Sequence, residues 1–188
     1  LGIKKKLIAL HDYNEHKIII QIKDLLKNKN CVLISDAGSP LISDPGYNLV
    51  QHCIKNNIRV SSIPGPSSII SSLQLSGLPI SEFAFFGFIP KSKKVMSDVV
   101  QKISQEARTS VFFISNHKLI NFIECLEKII PDRSISICKE LTKINEFTFR
   151  GNARKVKNDI LQKKENLKGE FVGIIDRQTL KKQDFNEI

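Results

Sequence analysis

The sequence predicts an α/β protein built as two successive α/β domains. Continuous apolar runs alternate with amphipathic stretches along the whole chain. Loops rich in glycine and proline follow several of those runs, as at Asp36–Pro45 and Pro64-Gly65-Pro66. The run Cys31–Ser35 has the unbroken apolar character of a strand covered on both faces. Repeated strand–loop–helix order on one short chain implies a parallel or mostly parallel sheet.

The elements run in order. Lys6–Leu10 reads as a strand, and a helix starts near Asn14, an N-cap residue type, with Ile18, Ile22, Leu25 and Leu26 on one face. After Cys31–Ser35 and its loop, a helix covers about Gly46–Asn56, and Ile58–Ile63 reads as a third strand. Pro64-Gly65-Pro66 precedes a helix through about Leu75, and Gly77-Leu78-Pro79 breaks the pattern, so the domain boundary is expected near Ser81–Phe83. This gives a first domain over 1–82 and a second over 83–177. In the second, Phe83–Ile89, Ser110–Ser115, Ser134–Lys139, Asn145–Phe149 and Glu170–Asp176 read as strands. Helices are expected up to Glu106, over about Lys118–Ile130, and from an Asn152 cap to about Lys164. Residues 178–188 form a polar tail.

Composition narrows the class. At 188 residues the chain buries roughly 70% of its unfolded surface and needs neither disulfide nor metal to fold. With 41% hydrophobic and 26% charged residues it is globular, and no apolar run approaches a membrane span. A soluble, cytosolic protein is expected. The net charge of +10 suits a polyanionic partner such as RNA, or else reflects a Lys-, Ile- and Asn-rich genome bias. The 23 Lys against 6 Arg temper the first reading, because Arg is the better fork for phosphate. The cysteines Cys31, Cys53, Cys125 and Cys138 form no Cys-x-x-Cys pair, and His11, His16, His52 and His117 show no ligand spacing. No metal is assigned.

Two loops are candidates for chemistry. Ser35-Asp36-Ala37-Gly38-Ser39-Pro40-Leu41-Ile42-Ser43-Asp44-Pro45-Gly46 comes after a buried run, where open α/β sheets place ligands. Gly38 permits positive φ, and the two aspartates suit a cationic or hydroxyl-bearing small molecule. The alternative is a tight turn whose aspartates cap backbone N–H groups. Ile63-Pro64-Gly65-Pro66-Ser67-Ser68 opens a helix whose N–H groups suit a carboxylate, with a plain Pro–Ser helix start as the alternative. No G-x-G-x-x-G or G-x-x-x-x-G-K-[ST] follows any strand, which argues against ordinary Rossmann dehydrogenases, nucleotide kinases and the common Rossmann-type methyltransferases.

Together these segments resemble the tetrapyrrole-methylase superfamily, and within it the bacterial 16S ribosomal RNA cytidine 2′-O-methyltransferases. The resemblance begins at His11-Asp12-Tyr13-Asn14-Glu15, takes in both loops, and continues through Gly77-Leu78-Pro79 and Gly87-Phe88-Ile89-Pro90-Lys91-Ser92-Lys93. Lys139-Glu140-Leu141-Thr142-Lys143 and Gly169-Glu170-Phe171-Val172 complete it. It implies two α/β domains with S-adenosylmethionine held in the cleft between them, usually in a homodimer. Carried over by position, Asp36, Ala37, Gly38, Ser39 and Pro40 with Gly65, Pro66, Ser67 and Ser68 line the cofactor cleft from the first domain. Ser115, Asn116, Glu140, Leu141, Thr142, Glu170, Phe171 and Val172 approach it from the second. Ser39 stands where the family often has threonine and keeps the hydroxyl. The family also carries a leading strand–loop–helix and a C-terminal extension, so the resemblance implies a first domain without that leading unit.

The implied partner is 16S rRNA in the small ribosomal subunit. Lys91, Lys93, Lys94, Lys143 and Arg150 are the candidates for its backbone, although a lysine-rich loop is more often a solvated face. For the base that accepts the hydroxyl proton, Asp36, Glu140 and Lys139 are candidates, with Glu140 slightly better read as an ion-pair partner of Lys139 or Lys143; the base stays unassigned. Two other readings remain: a corrin or porphyrinogen C-methyltransferase of the same fold, and a non-catalytic remnant that binds RNA or a partner chain.

Overall fold

The computed structural model describes Gly2 and residues 4–178. It divides into two compact units, Leu1–Ser67 and Ser68–Ile188. The expected tail over 178–188 lies almost wholly outside the described residues.

The first unit is built from helices and extended connections. Helix α1 (Glu15–Asn28) starts at Asn14, whose Oδ1 accepts from the His11 N–H at 2.9 Å while its side-chain amide donates to the Ala9 carbonyl at 3.0 Å. Asn14 therefore secures the approach to the helix without capping it by its side chain, and the Glu15 N–H donates to the His11 carbonyl at 3.1 Å. Helix α2 (Tyr47–Lys55) has Gly46 at its N-cap and so lacks a capping side chain of its own. Glu15, only 3% exposed, supplies one: its carboxylate accepts from the Leu49 N–H at 2.9 Å and from the Asn48 side-chain amide at 2.8 Å. A buried anion at the positive end of a helix satisfies orphan donors and complements the helix dipole.

The three strands expected in this unit do not form. Lys6–Leu10, Cys31–Ser35 and Ile58–Ile63 carry no ladder pairing, and the side chains of Leu7, Val32, Ile34 and Ile63 are exposed. Apolar, β-branched composition marks residues that fit a pleated surface, and a strand exists only where a neighbour supplies that surface. Of Cys31–Ile34, Leu33 alone turns inward, onto Gly46, where a Cβ would stand 2.7 Å from its Cδ2.

The second unit holds the sheet. Helix α3 (Ser68–Ser76) leads into β1 (Phe83–Phe88), α4 (Lys93–Ser104), β2 (Thr109–Ser115), a short 3₁₀ turn over Asn116–Lys118, and α5 (Leu119–Ile129). Then come β3 (Ser134–Lys139), β4 (Phe147–Asn152), α6 (Ala153–Leu161), a 3₁₀ turn over Lys164–Leu167 and β5 (Glu170–Ile175). The sheet order is β1-β2-β5-β3-β4, with β1 and β2 parallel and the other three pairings antiparallel. The expected parallel or mostly parallel sheet is thus corrected to a mixed one with a single parallel pairing among the described residues. Its cause is β5, the last strand in sequence, which inserts between β2 and β3 and runs against both.

Both faces of the sheet are covered. One packs Phe112, Ile114, Ile135, Ile137 and Phe171 against α4, α5 and α6, with Phe122, Leu126 and Val156 fully buried. Each such side chain contributes roughly 1.5–3 kcal/mol of transfer free energy. The other face packs Val111, Cys138, Val172 and Ile174 against Ile69 and Leu73 of α3. This packing is why Ser68–Glu82, expected in the first domain, groups with the second unit. The Arg150 guanidinium adds to it by donating to the Leu75 carbonyl from Nε at 3.0 Å and Nη2 at 2.5 Å.

Two measurements test this arrangement. In hydrogen exchange, amides of residues 31–35 and 58–63 should exchange orders of magnitude faster than those of β3 and β5, since they close no ladder. Comparable protection would show that the extended segments are paired. Replacing Glu15 with Ala should cost about 2 kcal/mol locally and speed exchange at the Leu49 amide, because a charged acceptor is removed from half-buried donors. Glu15→Gln should cost less, since one of its two acceptor oxygens remains.

Candidate functional site

In the first unit, the two sequence-predicted loops meet. The Ser39 hydroxyl donates to the Pro66 carbonyl at 3.3 Å, so Asp36–Pro40 and Gly65–Ser67 lie side by side. The Ser35 hydroxyl reaches the Gly38 carbonyl at 2.8 Å and folds the first loop into a tight turn. Positive φ values gather here: +75° at Gly38, +69° at Leu41, +64° at Ser43 and +126° at Gly46. For Leu41 this conformation costs about 1–3 kcal/mol, and such strain clusters where backbone is held ready for a ligand. Asp36, Ala37, Gly38, Gly65 and Pro66 are exposed, and a Cβ built at Gly38 or Gly65 meets nothing within 4 Å. The backbone at both glycines therefore faces open space. The alternative role for Asp36, capping a backbone N–H, has no counterpart among the described hydrogen bonds.

In the second unit, one edge of the sheet collects the remaining residues. Strands β1, β2 and β3 run the same way, so their C-terminal ends share an edge with the N-terminal ends of β4 and β5. Ser115 pairs with Glu170, Lys139 with Phe171, and the Glu140 N–H donates to the Glu170 carbonyl at 2.9 Å. Ser115, Asn116, Glu140, Leu141, Thr142, Glu170, Phe171 and Val172 thereby come together, although they span more than fifty positions of sequence. Phe171 and Val172 themselves are buried among the core side chains, so Glu170 is the exposed member of that segment.

The segment after β3 is tightly built. Glu140 (φ +49°) and Thr142 (φ +65°) are both left-handed, and the Thr142 N–H donates to the Glu146 carboxylate at 2.6 Å. One oxygen of Glu140 accepts from the Glu170 N–H at 2.8 Å and from the Lys143 ammonium at 3.1 Å. Lys143 also pairs with Glu170 at 3.0 Å. The Glu170 N–H, then Lys143, hold the Glu140 carboxyl below its ordinary range. The ion pair with Lys143 is the reading of Glu140 slightly favoured in the sequence. Lys139 instead sends its ammonium to the Glu165 carbonyl at 2.6 Å.

The basic residues divide in two. Lys143 and Arg150 are engaged inside the fold, on Glu140 and Glu170 and on Leu75. Lys91, Lys93 and Lys94 are exposed and form no ion pair among the described residues. Lys93 and Lys94 occupy the first turn of α4, which has no acidic residue, the reverse of what the helix dipole favours. Sequence reasoning missed Lys118, 9% exposed, whose ammonium meets the Ile89 carbonyl at 2.5 Å and ties this loop to the turn after β2. Its place directly before the apolar helix start Leu119-Ile120 is its only signal in the sequence. A cleft of about 300 Å³ beside that turn is lined by Asn116, His117, Ile120, Asn121 and Leu167. Among the described residues no cluster of His, Cys, Asp and Glu suits a metal, and no helix is long and apolar enough to cross a membrane.

An α/β protein with a strained Gly/Pro-rich loop pair and a mixed five-stranded sheet bearing its polar residues on one edge is a recognisable class. The family model for tetrapyrrole (corrin/porphyrin) methylases matches residues 3–157, and the chain belongs to that family. Among relatives, the ribosomal RNA small subunit methyltransferase I of Haemophilus influenzae is 39% identical over 177 residues, 93% of this chain and 62% of its own length. That of Pasteurella multocida is 36% identical, covering 100% of this chain and 66% of its own. The chain thus spans less than two thirds of either relative. The Thermotoga maritima protein of the same name is 39% identical over 86% of this chain and 73% of its own. Among solved structures, a diphthine synthase superposes with a TM-score of 0.68 at 15% identity, covering 94% of this chain and 71% of the other. A Thermus thermophilus uroporphyrin-III C-methyltransferase complexed with S-adenosyl homocysteine gives 0.55 at 13%, covering 87% and 73%. These two establish the fold.

Gly169 is the position on which the sheet edge can be tested. Its φ is +117°, and a Cβ there would stand 2.7 Å from Cγ and 2.8 Å from Oε1 of Glu140. Gly169→Ala should displace the Glu140 carboxylate, expose the Glu170 amide to exchange and destabilise the edge by about 1–3 kcal/mol. Because the carboxyl is held below its ordinary range, the wild-type contact persists above that range and is lost as pH falls through the depressed value. The variant should lose this acid-dependent step in Glu170 amide protection; an unchanged step would place the carboxylate elsewhere.

Proposed function

We propose that this chain belongs to an S-adenosylmethionine-dependent enzyme that methylates a cytidine ribose 2′-hydroxyl of 16S rRNA in the small ribosomal subunit, acting in the cytoplasm as a homodimer. The observation that carries the reading is the 39% identity, over 93% of this chain, to a protein named ribosomal RNA small subunit methyltransferase I. The geometry supports it. The exposed loop pair of the first unit offers open backbone at Gly38 and Gly65 with the Asp36 carboxylate and Ser39 hydroxyl beside it, a donor and acceptor set that fits an amino-acid nucleoside cation. The sheet edge of the second unit presents Ser115, Asn116, Thr142 and Glu170.

S-adenosylmethionine, when bound, supplies an activated sulfonium methyl group to an in-line displacement. The chain's task is alignment, since holding two reactants in attack geometry is worth roughly 7–11 kcal/mol. Asp36–Pro40 and Gly65–Ser67 are the first unit's candidates for holding the cofactor. Ser68, Ser115, Asn116, Glu140–Thr142 and Glu170 are the second unit's candidates, with Phe171 and Val172 kept to the core by their burial. Among the three candidates for accepting the hydroxyl proton, Glu140 is occupied by the Glu170 N–H and Lys143, and Lys139 by the Glu165 carbonyl. Asp36 is exposed and has no side-chain hydrogen bond among the described residues, so its carboxylate is open to a ligand, and the base stays unassigned. Lys91, Lys93 and Lys94 are assigned to RNA phosphates. Lys143 and Arg150 keep a secondary part, because their charges already serve the fold.

Calorimetry with S-adenosylmethionine and transfer of a labelled methyl group to purified small subunits test the reading; an absence of cofactor binding would leave a non-catalytic remnant. Replacing Lys91, Lys93 and Lys94 together with Ala should weaken RNA binding and flatten log affinity against log salt, by up to ~0.7 per phosphate contact on single-stranded RNA. An unaltered slope would return the loop to a solvated face.

A further inference from the structure

The residue just ahead of the basic loop carries an inference that rests on the RNA reading above. Phe88 ends β1, an edge strand, and is 56% exposed. An exposed phenylalanine alone is ordinary. This one is held rigidly. Its ring lies 5.2 Å from that of Phe113, which in turn meets Phe85 edge-on at 4.9 Å. The next residue, Ile89, is buried, with its N–H on the Phe113 carbonyl at 3.0 Å and its carbonyl on the buried Lys118 ammonium at 2.5 Å. The β1–β2 register shifts between Phe85 and Phe88, and Gly87 (φ +71°) supplies the kink that turns Phe88 outward. The backbone is thus clamped on both sides of an aromatic ring that faces solvent.

The residues beyond Ile89 decide the partner. Lys91 comes three positions after Phe88 and Lys94 six, at most about 11 and 22 Å of extended chain away, and Lys91, Lys93 and Lys94 are all exposed and without an ion pair among the described residues. A fixed aromatic face beside unpaired cations matches a single-stranded nucleic acid, whose bases stack on rings while its phosphates meet lysines. An apolar protein partner would use the ring and leave the cations without a role. We propose that Phe88 is the stacking platform for one unpaired nucleobase of the RNA whose backbone Lys91, Lys93 and Lys94 hold, with Lys118 as the positioning residue that fixes the platform.

The experiment uses the whole chain with a mixed-sequence single-stranded oligoribonucleotide carrying 2-aminopurine, and with small ribosomal subunits. Wild type should quench the 2-aminopurine at one register. Phe88→Leu should abolish the quenching and lower affinity roughly 5- to 150-fold while leaving the salt slope intact. Phe88→Trp should restore both. Lys118→Met should lose quenching in the same way and Lys118→Arg should retain it. Equal affinity and quenching in wild type and Phe88→Leu would overturn the platform, as would a change in sedimentation with RNA affinity untouched, which would make this face a protein interface. Absence of quenching in wild type that nevertheless binds and methylates RNA removes this inference alone. Failure of wild type to bind RNA at all removes the underlying reading with it.

Discussion

The antiparallel insertion of β5 between β2 and β3 is the constraint on which the second unit depends. β5 comes last in the chain and lies in the middle of the sheet, so the unit cannot complete its core until that strand arrives. Residues Phe171–Ile175 are buried on both faces, and Gly173 has no room for a Cβ, which would stand 2.7 Å from Ile114 Cδ1. The same insertion sets the chemistry of the edge. Glu170, at the start of β5, faces Ser115 on one side; on the other its carbonyl accepts from the Glu140 N–H and its own N–H donates to the Glu140 carboxylate. Without it, the ends of β2 and β3 would be separate loops.

Electrostatics then sort the cations by occupation. The chain's charge of +10 says nothing about which lysines are available. Arg150 caps the carbonyl end of α3, Lys143 bridges Glu140 and Glu170, and Lys118 and Lys139 turn inward to backbone carbonyls. Each of these charges has an internal acceptor, and for Lys118 and Lys139, which are buried, lacking one would cost several kcal/mol. The cations at Pro90–Lys94 have none among the described residues, so their charge is not neutralised within the fold.

The second unit was largely legible in the sequence. Its strands alternate or run apolar, its helices have clear faces, and Asn152 does cap α6 by accepting from the Lys155 N–H at 2.9 Å. Periodicity reports which face of an element is buried, however, and not which strand lies beside it. Strand–helix alternation through β1, β2 and β3 gave the correct common direction of those three strands, and nothing local announced that β5 would part β2 from β3. The first unit was legible in its helices and loops. Its strands were not, because Val32 and Ile34 have the composition of a strand without a neighbour to pair with. The loop pair around Ser39 and Pro66 was anticipated as two separate segments; its direct hydrogen bond required the fold.

Backbone strain gathers at the polar loops and not in the packed core. Left-handed non-glycine residues occur at Leu41 and Ser43 in the first unit and at Glu140 and Thr142 in the second, with Asn57 outside both clusters. Neither segment needs such conformations to bury apolar area, since Ser43 and Thr142 are exposed. Each is instead over-determined by its surroundings: Leu41 against Gly46, and Glu140 and Thr142 by carboxylate bonds to Glu170, Lys143 and Glu146. A fold that holds about 1–3 kcal/mol of strain per residue at these positions must offset it elsewhere, and the closely packed β2–β5–β3 core is where the second unit does so. Strained backbone lies at the open loops of the first unit and, in the second, at the sheet edge outside the packed core, and in each it fixes the direction of polar groups.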